Sequence, residues 1–198
     1  MKLIKSTSYQ NKIWKNGQGS SAEIEIFPEA MSFQNDKFLW RLSSAKITHD
    51  NQFSIFKDYN RILTVIEGSG LFLNSMPLEK FKVARFSGES IINCRLIKNE
   101  VLDLGLIFNQ DLVQAKMTVK ALSAKKSKHV LVLTEGTHFL YCATGSFSTE
   151  NIKIETKDTL KIEGPLKLEV TLNNFVNYVH IKICEIKNKP SFCKDISK

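Results

Sequence analysis

Short runs of β-branched, aromatic and alternating residues, each closed by turn chemistry within about a dozen positions, restrict this chain to an all-β fold. They occupy 22–27, 38–48, 60–66, 71–74, 80–86, 90–97, 100–108 and 114–120, and then 129–134, 138–143, 151–155, 159–163, 166–172 and 178–186. Glu67-Gly68-Ser69-Gly70, Ser87-Gly88-Glu89, Thr134-Glu135-Gly136 and Glu163-Gly164-Pro165 read as the turns between them. Many short strands at such spacing predict a sandwich or barrel. Helix signal is scarce, and its best candidates are Phe53–Asp58 and Leu122–Lys128.

The chain also echoes itself. A shift of 68 residues lays Arg61–Gly68 on His129–Gly136 and Leu71-Phe72-Leu73 on Phe139-Leu140-Tyr141, with apolar and turn positions in agreement. A duplicated supersecondary unit explains that agreement. The lysine-rich stretch Lys120–Lys128 is its natural seam. We therefore expect a first lobe over 1–120 that carries the pocket and a second lobe over 121–198 that acts as scaffold, frayed from about Lys187.

Composition excludes several classes. No run approaches the ~18 apolar residues that span a bilayer, and Met1–Ser6 lacks an apolar export core, so a cytoplasmic location is expected. Of the four cysteines, Cys94, Cys142 and Cys184 lie in apolar runs and Cys193 in the polar tail; no C-x-x-C occurs. Buried thiols are the expectation, with no redox pair or zinc knuckle. The net charge is +8. Residues 1–112 hold 14 basic and 12 acidic groups, and residues 113–198 hold 14 and 8. All four arginines (Arg41, Arg61, Arg85, Arg95) fall in the first part, so the surplus is dispersed lysine. Specific nucleic-acid readout favours arginine forks, and none is expected here.

A two-lobed duplicated barrel resembles the cupin superfamily, whose first motif reads His-x-His, four residues, Glu, six residues, Gly. Anchored on Gly68, the ligand positions become Ser54, Phe56 and Arg61. In the second lobe they become Leu122, Ala124 and His129. A hydroxyl, a phenyl ring and a guanidinium do not hold a divalent ion, so no metal and no cofactor are expected. A closer resemblance runs through Trp14-Lys15-Asn16-Gly17-Gln18-Gly19, Glu23-Ile24, Trp40-Arg41-Leu42-Ser43-Ser44-Ala45 and Phe53-Ser54-Ile55-Phe56 to Arg61 and Glu67–Gly70, and on to Phe86-Ser87-Gly88-Glu89 and Asp103. These segments look like the HutD/Ves family. The resemblance implies a bicupin-like fold and a link to histidine utilisation or stress responses, with no firm enzymatic activity. Family members tend to carry Asn and Met soon after the Asp103 position, where this chain reads Leu104-Gly105-Leu106-Ile107.

Strand alternation gives a reading of its own. With Lys46 facing solvent, Leu39, Arg41, Ser43, Ala45 and Ile47 point into the barrel, as do Arg61, Leu63 and Val65. Two arginines and a serine then share one wall. A buried guanidinium needs a partner: an internal carboxylate from Asp103 or Glu23, or a bound anion. The candidate ligand-binding set is Arg61, Arg41, Ser43, Ser54, Phe56, Trp14, Trp40, Asp103 and Glu23, the two tryptophans being either pocket wall or core. Asn16, Gly17 and Gly19 form either an anion nest or an ordinary turn. His49 beside Asp50 sits on a loop, and His138 and His180 read as satisfied wall residues. The expected function is metal-free binding of a small carboxylate, by a monomer or homodimer. A metal-independent isomerase or hydrolase in the same pocket, with Asp103 or His49 as acid–base group, is the alternative. A basic second lobe that docks an acidic macromolecule is a third class.

Overall fold

Residues two apart along a strand share a face, and in this chain the apolar ones sort into cores on both faces of the same sheets. The fold is a computed structural model that describes residues 1–14, 19–29, 38–123, 128–172 and 174–186. Its strands begin with β1 (Lys2–Ile4), β2 (Gln10–Ile13), β3 (Gly19–Phe27), β4 (Trp40–Ile47), β5 (Asn51–Gln52) and β6 (Tyr59–Glu67). They continue with β7 (Leu71–Leu73), β8 (Met76–Leu78), β9 (Val83–Ser87), β10 (Asn93–Leu96), β11 (Val101–Asn109) and β12 (Val113–Leu122). The remaining five are β13 (Lys128–Thr144), β14 (Phe147–Ser148), β15 (Lys153–Ile154), β16 (Thr159–Leu172) and β17 (Val176–Glu185).

The architecture is the expected all-β, bicupin-like one. A six-stranded sheet in the order β2-β3-β4-β11-β6-β9 faces a small sheet β5-β10-β7-β8, and together they make the first lobe. The second lobe is one curled sheet, β12-β17-β13-β16-β14-β15, with β1 added on β16. Residues 2–4 and 113–122 thus belong to the second sheet, so strand pairing crosses the seam expected at 120/121. No helix forms over 53–58, which runs as an extended segment ending in a turn. Over 122–128, Leu122 ends β12, Ser123 follows it and 124–127 lie outside the described residues. Among the described residues the sole helical piece is a 3-10 turn at Ser6–Ser8, and no helix is long and apolar enough to cross a membrane.

Two expected turns prove to be irregularities inside long strands. Leu133/Gly136 on β13 faces Leu166/Gly164 on β16, where the register slips and both strands continue. Gly136 has φ +121°, a conformation that glycine adopts without strain. The 68-residue shift places it on Gly68, which has φ +93°. The equivalent glycine therefore serves the bend between β6 and β7 in the first lobe and a bulge in the second. The bends let β13 and β16 wrap a core of Leu140, Cys142, Leu160, Ile162, Val170 and Tyr178.

The lobes are joined by a larger core. Trp40, Leu42, Ile62, Leu104, Leu106 and Phe108 from the six-stranded sheet meet Met117, Phe139, Tyr141, Val179 and Ile181 from the curled one. Trp40 stacks on Phe27 at 5.7 Å and meets the edge of Phe139 at 5.3 Å. Lys161 of β16 lies over both the Trp40 and Phe139 rings and bonds Glu25 of β3.

The N-terminus latches this assembly. The buried Asp158 carboxylate accepts from Lys5 Nζ at 2.8 Å, from Ser6 N at 2.9 Å and from Glu155 N at 3.2 Å. Tyr9 Oη donates to the Lys157 carbonyl at 2.6 Å. Burial alone pushes the Asp158 carboxyl up, but the donors from Lys5, Ser6 and Glu155 outweigh it and hold the group below its ordinary value. A depressed carboxylate contributes stability above its unfolded pKa and loses it as pH falls through the folded one. Asp158→Ala leaves two backbone N–H groups and Lys5 without their acceptor. We expect a loss of about 3 kcal/mol near neutral pH, read by denaturant melts, and a gap to wild type that narrows below about pH 4. A gap that is equal at both pH values would refute the latch.

Candidate functional site

The face of the six-stranded sheet turned away from the inter-lobe core lines a cavity of about 520 Å³. β4 sends Arg41, Ser43, Ala45 and Ile47 into it, β6 sends Arg61 and Leu63, and β11 sends Asp103, Gly105 and Ile107. The 51–56 segment covers the opposite side with Phe53, Ser54 and Phe56, and Lys12, Ile13 and Trp14 stand at the end of β2. Register makes the wall continuous, since Ser43 and Leu63 both face Gly105, and Arg41 and Arg61 both face Ile107. Gly105 leaves the centre of the floor bare: a Cβ there would touch only Leu63 Cβ at 3.9 Å and the Ile62 carbonyl at 4.0 Å.

Alternation thus places Arg61, Arg41, Ser43, Ser54, Phe56, Trp14 and Asp103 around one cavity, as expected. Trp40 is not among them. It occupies an even position on β4, opposite in direction to Arg41, and is 3% exposed between the lobes. Glu23 does not line the cavity but lies beside it. The register of β3 on β4 slips between Glu23 and Glu25, so Glu23 stands opposite Ser43 and Glu25 opposite Leu42. Two acids that simple alternation puts on one face are thereby sent to opposite faces, one to Arg41 and the other to Lys161. Lys15–Gln18, including the expected nest residues Asn16 and Gly17, lie outside the described residues, whereas Gly19 starts β3 and its carbonyl accepts the Trp14 N–H at 2.9 Å. Trp14 Nε1 donates to Ser21 Oγ at 2.8 Å, which fixes the indole at the cavity wall.

The two arginines differ in kind. Arg41 Nε meets Glu23 Oε2 at 2.6 Å, with the side chains 7% and 11% exposed, so it is an internally neutralised strand lock. Arg61 has no carboxylate of the described residues within 4.0 Å. Its Nη1 donates to the Ser54 carbonyl at 3.3 Å, and its guanidinium sits 4.7, 5.3 and 5.8 Å from the rings of Phe53, Phe86 and Phe56. Burial draws its pKa down to about 10, Asp103 opposes that shift and Arg41 adds to it. Phe rings return on the order of 0.5–2 kcal/mol each, against several kcal/mol for desolvating an ion. The rings thus hold the guanidinium without cancelling its charge.

Asp103 is the cavity's acid, 5% exposed. Asp103 shares the odd-position face of β11 with Gly105 and Ile107, and its Oδ1 accepts from Ala45 N at 3.2 Å. Burial pushes its pKa up to about 7, with Arg61 and the Ala45 N–H pulling the other way. Behind it, burial pushes the Cys94 thiol up to about 12, which keeps it a thiol. The sequence reading missed Phe53 and Phe86 as ring partners of Arg61. The F-S-x-F segment carried the first, and the second is the direct β9 neighbour of Arg61, a pairing that no local pattern reports.

Among the described residues no three His, Cys, Asp or Glu side chains are grouped to hold a metal ion. His129 Nε2 lies 3.2 Å from the Ser123 carbonyl, and Ala124 is outside the described residues. His138 and His180 are wall residues that satisfy each other. His138 Nε2–H donates to the Thr134 carbonyl at 2.8 Å, which leaves its Nδ1 to accept from His180 Nε2 at 2.9 Å. His49 Nδ1 pairs with Thr48 Oγ1 at 3.0 Å, away from the cavity lining.

Comparison with known proteins places these features in a lineage. A model of the HutD family matches residues 6–178. A curated Pseudomonas putida relative, an uncharacterised 21.2 kDa protein in the hutC 3' region, is 31% identical over 175 residues, covering 83% of this chain and 87% of its own. The solved HutD of Pseudomonas fluorescens SBW25, described as a formate condition, superposes with a TM-score of 0.76 at 25% identity over 93% of this chain and 98% of its own. A conserved protein of unknown function from Pseudomonas aeruginosa PAO1 gives a TM-score of 0.79 at 25% identity, covering 92% of this chain and 97% of its own.

The contrast between the arginines is measurable as stability. Arg41→Met strands the Glu23 carboxylate and should cost about 3–5 kcal/mol in denaturant unfolding. Arg61→Met strands no bonded carboxylate and keeps apolar contact with three phenyl rings, so its midpoint should stay near or above wild type. Equal losses in the two variants would make both arginines structural.

Proposed function

The chain belongs to the HutD family, and on that premise we propose that it is a cupin-like protein that binds a small carboxylate without a metal in its first-lobe pocket. The observation that carries this reading is Arg61, clad in phenyl rings and with no carboxylate of the described residues within 4.0 Å. A carboxylate on Arg61 forms charge-assisted bonds, bidentate where the fork is open. The bare floor at Gly105 gives the remainder of the ligand room, and Ser43 and the aromatic wall orient it. The hutC neighbourhood of the Pseudomonas putida relative and the formate condition of the related HutD structure point to a carboxylate of histidine breakdown, such as formylglutamate or urocanate. We assign the protein to the cytoplasm, where it senses or buffers that ligand for histidine utilisation or stress metabolism. The second lobe serves as scaffold in this reading.

One observation favours the enzymatic alternative. Asp103, whose pKa of about 7 suits proton transfer, lines the same cavity as Arg61. A metal-independent isomerase or hydrolase would use it as the acid–base group, and conversion of any of the ligands named below would select that reading.

The test is a thermal melt with formate, formylglutamate, urocanate or glutamate. At a hundredfold excess over Kd the wild type should gain about 2.7 kcal/mol, roughly 5–10 °C for a chain of this size. Arg61→Met should lose that gain. Gly105→Leu should lose it too for the branched ligands, with its ligand-free melt little changed, because the new side chain enters open space. A wild-type midpoint unmoved by all four compounds would sink the proposal.

A further inference from the structure

We propose that Asp103 is a second binding group of the pocket, one that takes up a proton as a carboxylate docks on Arg61, so that ligand and proton bind together. The inference rests on the carboxylate reading of the pocket and adds to it a coupled proton and the residue that carries it.

The geometry leads to this. Asp103 and Arg61 lie on the same face of adjacent strands, on either side of the bare position Gly105, and both border the one cavity. They form no ion pair within 4.0 Å, yet each shifts the other's proton affinity, so they sense one another across the space a ligand would fill. The charges around Asp103 are accounted for strand by strand. On β4 and β3, Arg41 is taken by Glu23. On β10, Cys94 is held as a thiol, influenced also by Asp50. On β2, Lys12 stands at the cavity margin. That leaves Arg61 as the cation on which an ionised Asp103 relies. A ligand carboxylate that docks there satisfies Arg61 and places a second negative charge in a desolvated space. Two anions sharing one cation in such a site favour protonation of the weaker-held one, which is Asp103, because its carboxyl is held by the neutral Ala45 N–H while the ligand holds the guanidinium directly. As a carboxylic acid it also gains an O–H to donate toward the bound anion.

The direction with pH follows. In the free pocket Asp103 carries its proton below about pH 7 and loses it above. Bound carboxylate removes the stabilising influence of Arg61 and adds repulsion, so the Asp103 pKa rises in the complex. Affinity is therefore constant below about pH 7 and falls above it, by up to about tenfold per pH unit, until the complex too loses the proton. Arg61, at about 10, stays charged through most of this range. A simple carboxylic acid ligand is ionised throughout it, with a pKa near about 4.

The experiment measures formate and glutamate binding by calorimetry from about pH 6 to about pH 9, in two buffers of different ionisation enthalpy, for wild type and Asp103→Asn. Asparagine keeps a carbonyl acceptor for the Ala45 N–H, so the strand pairing survives and the variant folds; its melt verifies this. The expected result is a wild-type Kd that climbs above about pH 7 with uptake of up to one proton. In Asp103→Asn the Kd is flat, with affinity at the alkaline end exceeding wild type. A wild-type Kd that is flat while Arg61-dependent binding persists overturns the proton coupling and leaves the carboxylate reading intact. A slope that survives in Asp103→Asn assigns the proton elsewhere and overturns the role of Asp103. Absence of formate and glutamate binding at every pH overturns the carboxylate reading and this inference with it. A ligand-free arm stands apart from binding: carbon-13 titration of the aspartate carboxyls should show one resonance, missing in Asp103→Asn, that titrates near pH 7, and a value near the ordinary 3.8 would also refute the proposal.

Discussion

Every strand of the six-stranded sheet has two faces, and the inter-lobe core claims one of them. Trp40, Leu42, Ile62, Leu104, Leu106 and Phe108 are committed to that core, so by the two-residue period their neighbours Arg41, Ser43, Arg61, Asp103 and Gly105 are committed to the cavity. The pocket exists because the second lobe supplies a dry surface for the other face. Without it, one side of β4, β6 and β11 would present a broad apolar surface to water. That dry surface is thus what lets the first lobe keep charged groups inside a barrel. The Asp158 latch and the Lys161–Glu25 bond tie that packing at its margins.

Departures from regular pairing place the chemistry on this frame. A slip between Glu23 and Glu25 sends one acid to neutralise Arg41 and the next across the lobe boundary. Another, in β6 between Val65 and Glu67, leaves β11 in unbroken register with β4, where Asp103 stands opposite Ala45 and accepts its N–H. A third pair, at Gly136 and Gly164, bends the second-lobe strands around their own core. At Glu23 and Glu25 a register slip, rather than a loop, decides where a side chain goes, and a strand inside a packed sheet holds that position more rigidly than a loop would.

The sequence made the fold class and most of the pocket wall readable, because both depend on local periodicity. Arg41 with Ser43 and Ala45, and Arg61 with Leu63, follow from alternation alone. The same alternation sends Trp40 the other way, and treating it as a wall candidate weighed aromatic character above strand geometry. Beyond that point the signals are ambiguous or long-range. Thr134-Glu135-Gly136 and Glu163-Gly164-Pro165 read as turns since glycine at positive φ serves a hairpin and a bulge equally well. Phe53–Asp58 has apolar spacing that suits a helix, but it is held extended by Phe53 N on the Ile92 carbonyl and Phe56 N on the Gly88 carbonyl, contacts some 30–40 residues distant. The pairing of Lys2–Ile4 with Thr159–Lys161 crosses almost the whole chain, and no local pattern announces it. Which arginine would be neutralised was likewise undecidable from alternation, since the slip in β3 settles it.

Arg41 and Arg61 show how little residue type says about role on one cavity wall. Both project from strands that flank β11 and both stand opposite Ile107, Arg41 buried and Arg61 half-buried. The difference lies in what completes them. Arg41 has a carboxylate at 2.6 Å, and the pair closes on itself, leaving no net charge to attract a ligand. Arg61 has three aromatic faces and one backbone carbonyl, which stabilise a cation without cancelling its charge. Aromatic faces are a way to hold a guanidinium in an apolar cavity while leaving its charge available, and a carboxylate in their place would end the attraction. The acid that is present, Asp103, stands off beyond ion-pair distance and under strong desolvation, where its charge is expensive to keep. In the proposed reading, an uncancelled cation beside a reluctant anion biases the pocket toward accepting a negative guest and releasing the charge of its own acid.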